Sequence, residues 1–342
     1  MDSGWAEAIR RGTAARVVLV IGESDTGKTS FTTALANELL AEGYQVAVVD
    51  ADLGQSEIGP PTTIGLGRIV TPVERLGQAE VVGLYFVGAI SPQASLLPTV
   101  TGTKLMVEKA FRLGMDKVLV DTSGLIQGEL GRALKHHKID LLDPDLIICL
   151  QRGTECEYIL RPYDLGTRPE IVRLTAAVDA RRRSQEARRA HRDAAFQSYF
   201  QSARSLSLDL SRVILQEPAL FVGRPLNSKQ LEELSVVAQD IVLWAERHGS
   251  ELTLITPDPL TEAELRQLVA RFEGVAITSY SLNDFPQALA GLENRERETV
   301  GLGVVRSLDF AKQIMVIETP VSEGDIASIR IGRHKLPPRL TH

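Results

Sequence analysis

The 342-residue chain has only two cysteines, Cys149 and Cys156, and they stand in no metal-binding or redox spacing. That excludes a disulfide framework and a thiolate metal centre. Basic charge is not in excess either. Lys and Arg number 38 against 44 Asp and Glu, a formal net charge of −6. The chain as a whole therefore has no bulk attraction for nucleic acid, and any polyanion site must be a local basic patch. No apolar run approaches the roughly 18–20 residues needed to span a bilayer. Met1 to Ala15 holds charges but no apolar stretch of the signal-peptide kind, which predicts a cytoplasmic chain without a membrane partner. There is no internal repeat and no low-complexity linker. With 44% hydrophobic and 24% charged residues, the composition excludes a disordered chain, a collagen-like fibre and a coiled coil.

What is present is a regular alternation. Val17–Ile21, Val46–Val49, Leu84–Val87, Val118–Val120 and Leu146–Leu150 are short apolar runs. Helical patterns lie between several of them, including the stretch with Leu35, Leu39 and Leu40 that closes at Gly43, and the stretch Lys104–Leu113. Short β-rich runs separated by helices predict βαβ units and an α/β fold with a parallel sheet, whose strand C-termini line one edge where ligands bind. After about residue 210 the pattern changes. Leu231–Trp244 reads as a helix, and Leu252–Ile255, Val275–Thr278, Gly303–Val305 and Ile314–Ile317 read as strands. Length and pattern together predict two domains, an α/β domain over 1–208 and a smaller α+β domain over 209–342.

Gly22-Glu23-Ser24-Asp25-Thr26-Gly27-Lys28-Thr29 fits G-x-x-x-x-G-K-[ST], with an apolar run before it and a helical pattern after it. A Gly-containing turn lets main-chain N–H groups converge on phosphate, and the helix N-terminus adds its positive end. Lys28 supplies a point charge to the β- and γ-phosphates, and the Thr29 hydroxyl suits Mg²⁺, which prefers oxygen ligands. This motif predicts a nucleoside triphosphate. Asp50-Ala51-Asp52-Leu53-Gly54-Gln55 ends the second apolar run, so one carboxylate is expected to face the phosphate site. Asp52 could ligate Mg²⁺ or accept a proton from an attacking hydroxyl. Asp121-Thr122-Ser123-Gly124 ends the Val118–Val120 run, where P-loop proteins hold Mg²⁺ from the opposite side. Asp52 and Asp121 thus compete for the metal-side role.

From residue 181 to 192 the sequence RRRSQEARRAHR holds six arginines and one glutamate. With no Gly or Pro from Ala176 to Phe200, this region reads as one helix. Arg181, Arg188 and Arg192 would share a face, and Arg182 with Arg189 would form a second stripe. Like charges on one helix repel, so an anion is expected to meet them, and arginine holds phosphoryl oxygens bidentately.

Taken in order, these blocks resemble the polynucleotide 5′-hydroxyl kinase family of P-loop proteins associated with RNA processing. The resemblance is carried by GESDTGKT (Gly22–Thr29), DADLGQSEIGPP (Asp50–Pro61), FVGAISP (Phe86–Pro92), DTSGLIQGELG (Asp121–Gly131) and RSQEARRAHRDAAFQSYF (Arg183–Phe200). It implies a P-loop domain with an Arg-rich helical lid over about 176–204, and transfer of the γ-phosphate of ATP to 5′-hydroxyl ends of RNA or DNA. It further implies that Glu23, Ser24, Asp25, Thr26, Gly27, Lys28, Thr29 and Ser30 cradle the nucleotide with Gln55 and Arg192 in support. Asp52 would activate the hydroxyl, while Arg183 and Arg188 would reach the transferring group. Mg²⁺ would fall to Thr29 with Asp52 and Asp121.

Two departures stand out. The family's eukaryotic members carry a β-rich N-terminal domain, which is not expected here. Where the family often has Asn-Thr-x-Gly-Trp, this chain has Asp121 and Leu125, and Tyr85, Phe86 and Tyr163 are the candidate aromatics to replace that tryptophan. Two other functions remain open on the residues alone. One is a nucleotide-driven switch or assembly ATPase acting on a protein partner, and the other is a small-molecule kinase.

Overall fold

The computed structural model describes residues 3–176 and 183–337, and the chain divides into two compact units, 1–199 and 200–342. The sequence placed the division after residue 208. The strand Arg204–Asp209, which crosses that expected boundary, pairs with Ile314–Thr319 in a sheet of the second unit.

The first unit is built on a seven-stranded sheet. Its strands are β1 (Val17–Gly22), β2 (Val46–Ala51), β3 (Thr63–Ile69), β4 (Glu80–Phe86), β5 (Lys117–Thr122), β6 (Leu146–Gln151) and β7 (Glu170–Thr175), in the order β4-β3-β2-β5-β1-β6-β7. The five from β2 to β7 run parallel, while β3 and β4 add an antiparallel edge. Helices α1 (Ser3–Ala14) and α2 (Lys28–Ala41) cover one face. The opposite face carries α3 (Leu96–Arg112), α4 (Gly128–Leu142) and the short α5 (Glu157–Leu160).

Strand residues divide between the two faces with period two. Val18, Val20 and Val48 pack with Phe31, Leu35 and Leu39, whereas Leu19, Ile21 and Val49 pack with Met106, Ala110 and Ile139. Burial on both faces is why the central strands read as unbroken apolar runs. Because β1, β2 and β5 are parallel neighbours, Gly22, Ala51 and Thr122 all end at one sheet edge.

The Arg-rich helix is shorter than expected. It runs as α6 from Gln185 to Tyr199, and the Ser184 Oγ accepts the Ala187 N–H at 3.1 Å, so Ser184 serves as its cap. Arg183 therefore precedes the helix, and Arg181 and Arg182 lie outside the described residues.

The second unit holds a six-stranded sheet, ordered Arg204–Asp209, Ile314–Thr319, Thr299–Asp309, Ala288–Glu293, Ser328–Lys335, Ile214–Glu217, and a four-stranded sheet with the helices Ser228–Ala238 and Glu262–Arg271. The helix expected over Leu231–Trp244 starts and stops earlier. Asn227 and Gln230 form a capping box at its start, Gln239 adopts a left-handed conformation (φ 56°) just after its end, and Trp244 begins a strand.

Candidate active site

Residues 23–27 link β1 to α2 as a tight loop. Gly27, at the helix start, has φ 93°, which a residue without Cβ adopts freely. No side chain caps α2. Its first-turn N–H groups are thus left to an external anion, in the field of the helix's positive end.

Around this turn the polar groups are tightly placed. Lys28, only 6% exposed, donates from Nζ to the Glu23 carbonyl at 2.7 Å. Burial pulls its pKa below the ordinary lysine range, against the opposing pull of Asp121, Asp52 and Asp25. The Thr29 hydroxyl donates to Asp121 Oδ2 at 2.6 Å, while Asp121 Oδ1 is buried with no hydrogen-bond partner. Burial raises the Asp121 pKa to about 6, with Lys28 and the Thr29 hydrogen bond working the other way.

The carboxylates at the end of β2 have different tasks. Asp50 is buried, and its Oδ2 accepts the N–H groups of Glu57 (2.7 Å) and Ile58 (3.1 Å), which fixes the loop that follows. Burial, then the nearby Asp121, lift its pKa to about 7. Asp52 is half-buried, and its Oδ1 accepts the N–H groups of Gly54 and Gln55, each at 3.1 Å. An open cleft of about 630 Å³ contains Asp52 in its wall, together with Ser24, Asp25, Gly27, Lys28, Thr29, Ser30, Gln55, Arg183 and Arg188.

The start of α6 sits directly on this cleft. The Arg188 Nη2 meets Asp25 Oδ2 at 2.6 Å, and the Arg183 main-chain N–H donates to the same oxygen at 3.0 Å. From the other side, the Gln55 amide donates to the Arg188 carbonyl at 3.2 Å. Arg192, one turn further along α6, is half-buried and is not among the cleft's lining residues. Glu23 and Thr26 belong to the loop itself, the Thr26 hydroxyl donating to the Glu23 carbonyl at 2.9 Å.

A second, smaller pocket of about 310 Å³ adjoins the first. It is lined by Glu23, Ser24, Gln93, Gly124, Leu125, Ile126, Gln127 and Arg188, so Ser24 and Arg188 belong to both cavities. Leu125 occupies this pocket's wall, and Tyr85, Phe86 and Tyr163 do not. Phe86 is buried, and the Tyr163 hydroxyl is engaged with Asp140 at 2.7 Å.

Sequence reasoning passed over Arg152. This arginine follows β6 at the same sheet edge, and it reaches Glu23 Oε2 at 3.2 Å and the Asp25 carbonyl at 2.7 Å. Its signal was available, because residues just beyond the C-termini of parallel strands face the ligand edge. Two buried lysines of α4 had no such signal. Lys135 Nζ donates to Thr122 Oγ1 and the Ser123 carbonyl at 2.8 and 2.7 Å, and burial lowers the Lys138 pKa to about 8 against the pull of Asp52, Asp50 and Asp121.

The model of the mRNA cleavage and polyadenylation factor CLP1 P-loop family matches residues 22–202, more than half of the chain and the whole of the site just described. The chain belongs to the CLP1 P-loop family. Among similar proteins is a polyribonucleotide 5′-hydroxyl-kinase of Pyrococcus furiosus, 32% identical over 92% of this chain and 86% of the relative. Another, of Methanocaldococcus jannaschii, is 31% identical over 92% and 84% respectively. The polyribonucleotide 5′-hydroxyl-kinase Clp1 of Xenopus tropicalis is 25% identical, covering 92% of this chain and 69% of the relative. A solved Clp1p chain, from a complex with Pcf11p, superposes with a TM-score of 0.61 at 16% identity, over 96% of this chain and 77% of that one. That likeness establishes the fold. Membership of a P-loop kinase family carries nucleotide binding with it. No helix among the described residues is long and apolar enough to cross a membrane.

Proposed function

We propose that this CLP1-family chain is a polynucleotide 5′-hydroxyl kinase, which moves the γ-phosphoryl group of ATP onto the 5′-hydroxyl end of an RNA or DNA strand. The observation that carries this reading is the shared wall. Arg188 and Ser24 line both the cleft that holds Lys28, Thr29 and Asp52 and the adjoining pocket at Leu125. A donor in one cavity and an acceptor in the other would place the transferring group beside Arg188. The names of the archaeal and Xenopus relatives agree with it.

In this reading the 5′-oxygen attacks the γ-phosphorus, the bond from that phosphorus to the bridging oxygen breaks, and the bridging electrons leave with ADP. The hydroxyl proton goes to Asp52, whose carboxylate lines the cleft while two main-chain N–H groups hold it in place. Lys28 leaves the Glu23 carbonyl to meet the β- and γ-phosphates, and the bare start of α2 cradles them. Arg183 and Arg188 stabilise charge on the equatorial oxygens, an effect worth about 10³–10⁵ in rate for an arginine so placed. Gln55 holds the lid main chain at Arg188.

The oxygen donors fit Mg²⁺. Thr29 offers a hydroxyl, and Asp121 offers a buried carboxylate oxygen that no described group satisfies. Bound there, the ion would neutralise phosphate charge. Asp121 with Thr29 would hold it, which leaves Asp52 to the proton.

The experiment is label transfer from γ-labelled ATP to 5′-hydroxyl oligonucleotides, with 5′-phosphorylated oligonucleotides as the control. Transfer only to the hydroxyl ends, abolished by Lys28→Ala, supports the proposal. Transfer unaffected by Lys28→Ala, or none by the wild type, refutes it.

A further inference from the structure

Asp25 is out of keeping with a phosphate cradle. It places a carboxylate in the wall of the cleft, where it would repel a polyanion. It also holds a left-handed backbone conformation (φ 58°), uncommon for any residue other than glycine though tolerated by Asp and Asn. Glycine would serve the turn without strain and without the charge. The carboxylate must therefore have a partner of its own.

That partner is the lid. One oxygen, Asp25 Oδ2, accepts both the Arg188 guanidinium at 2.6 Å and the Arg183 N–H at 3.0 Å, from residues 163 and 158 positions away. Both side chains are mostly covered, 30% exposed for Arg188 and 18% for Asp25, so the pair is screened less than a surface ion pair. Arg152 Nη2 donates to the Asp25 carbonyl at 2.7 Å. The acid is thus held on a rigid turn and aimed at the lid.

We infer that Asp25 is the resting counter-ion of the lid arginine. It holds Arg188 and the start of α6 over the P-loop, and gives up the guanidinium to an arriving triphosphate. Asp25 is a positioning residue, acting through Arg188. Arg188 passes from one anion to another, and the carboxylate it leaves keeps the Arg183 N–H. The inference rests on reading the cleft as the triphosphate site, but the latch itself does not depend on catalysis.

Asp25→Asn tests it, because asparagine is isosteric and accepts the same backbone conformation. Two readouts independent of kinase activity apply. In the nucleotide-free protein, tryptic cleavage after Arg183, Arg188 and Arg189 should speed up by about tenfold in the variant, as the loss of a charge-assisted pair raises the open population. A saturating non-hydrolysable ATP analogue with Mg²⁺ should bring both proteins to the same slow rate. The analogue should also bind the variant about three- to tenfold more tightly, with a smaller gain when Asp25→Asn is made in an Arg188→Gln background. Unchanged cleavage overturns the inference. So does weaker analogue binding, which would mean that the carboxylate stays on Arg188 in the bound state, or an equal gain in both backgrounds. A failed kinase reading would instead appear as absent label transfer with these readouts intact.

Discussion

Thr29 and Asp121 are joined across the sheet edge, hydroxyl to carboxylate at 2.6 Å, which ties the first turn of α2 to the end of β5. Among the described residues it is the one side-chain hydrogen bond of a carboxylate whose other oxygen is buried and unsatisfied. Thr29→Ala should therefore destabilise the protein by about 1–2 kcal/mol at pH 7 and by less at pH 5, where Asp121 is protonated. Urea unfolding at the two pH values checks it.

Asp121 also sets a pH dependence. Its pKa in the fold, about 6, lies above the ordinary 3.8, so between those values the native chain holds a proton that the unfolded chain has lost. Stability from this group is full below pH 4 and is lost as pH rises through 6. Asp121→Asn should therefore be more stable than the wild type at pH 8, by about 1–3 kcal/mol, and no more stable at pH 4.

Asp52 and Asp121 separate by kinetics. Asp52→Asn still offers Oδ1 to the N–H groups of Gly54 and Gln55, so the turn should survive. Its kcat should drop about 10²–10⁴-fold while ATP affinity stays within about threefold, as expected when a general base is removed. Asp121→Asn should lose Mg²⁺ dependence and ATP affinity together. Steady-state kinetics with Mg²⁺ titration distinguishes the two.

Leu125 lines the pocket where the family often has an aromatic residue. Leu125→Trp should give a stacking surface and lower the KM for single-stranded oligonucleotides by about five- to a hundredfold, with little change in kcat. A KM that is unchanged would remove this pocket as the acceptor site.

The parts of this architecture with a two-sided apolar signature were readable in advance: β1, β2, β5 and β6, and with them the positions of Lys28, Asp52 and Asp121. Strand β3 was not. Gly65 lies in its middle, and a Cβ there would sit 1.9 Å from the Ile58 carbonyl, because the loop after β2 passes directly over the strand. That glycine is demanded by a tertiary crossing, which no local pattern encodes. The arginines of the lid were legible as a charge run, yet their resting partner was not, since Asp25 looks like one more residue of a phosphate loop. Ion pairs between residues 163 positions apart leave no periodic trace.

Transfer to a hydroxyl of a nucleic acid end, rather than to water, is decided by measuring ADP formed against phosphate appearing on a 5′-hydroxyl oligonucleotide in one reaction. One phosphorylated end should form for each ADP, with almost no ADP without the oligonucleotide. ADP released with free inorganic phosphate, at a rate indifferent to the oligonucleotide, would overturn the kinase reading.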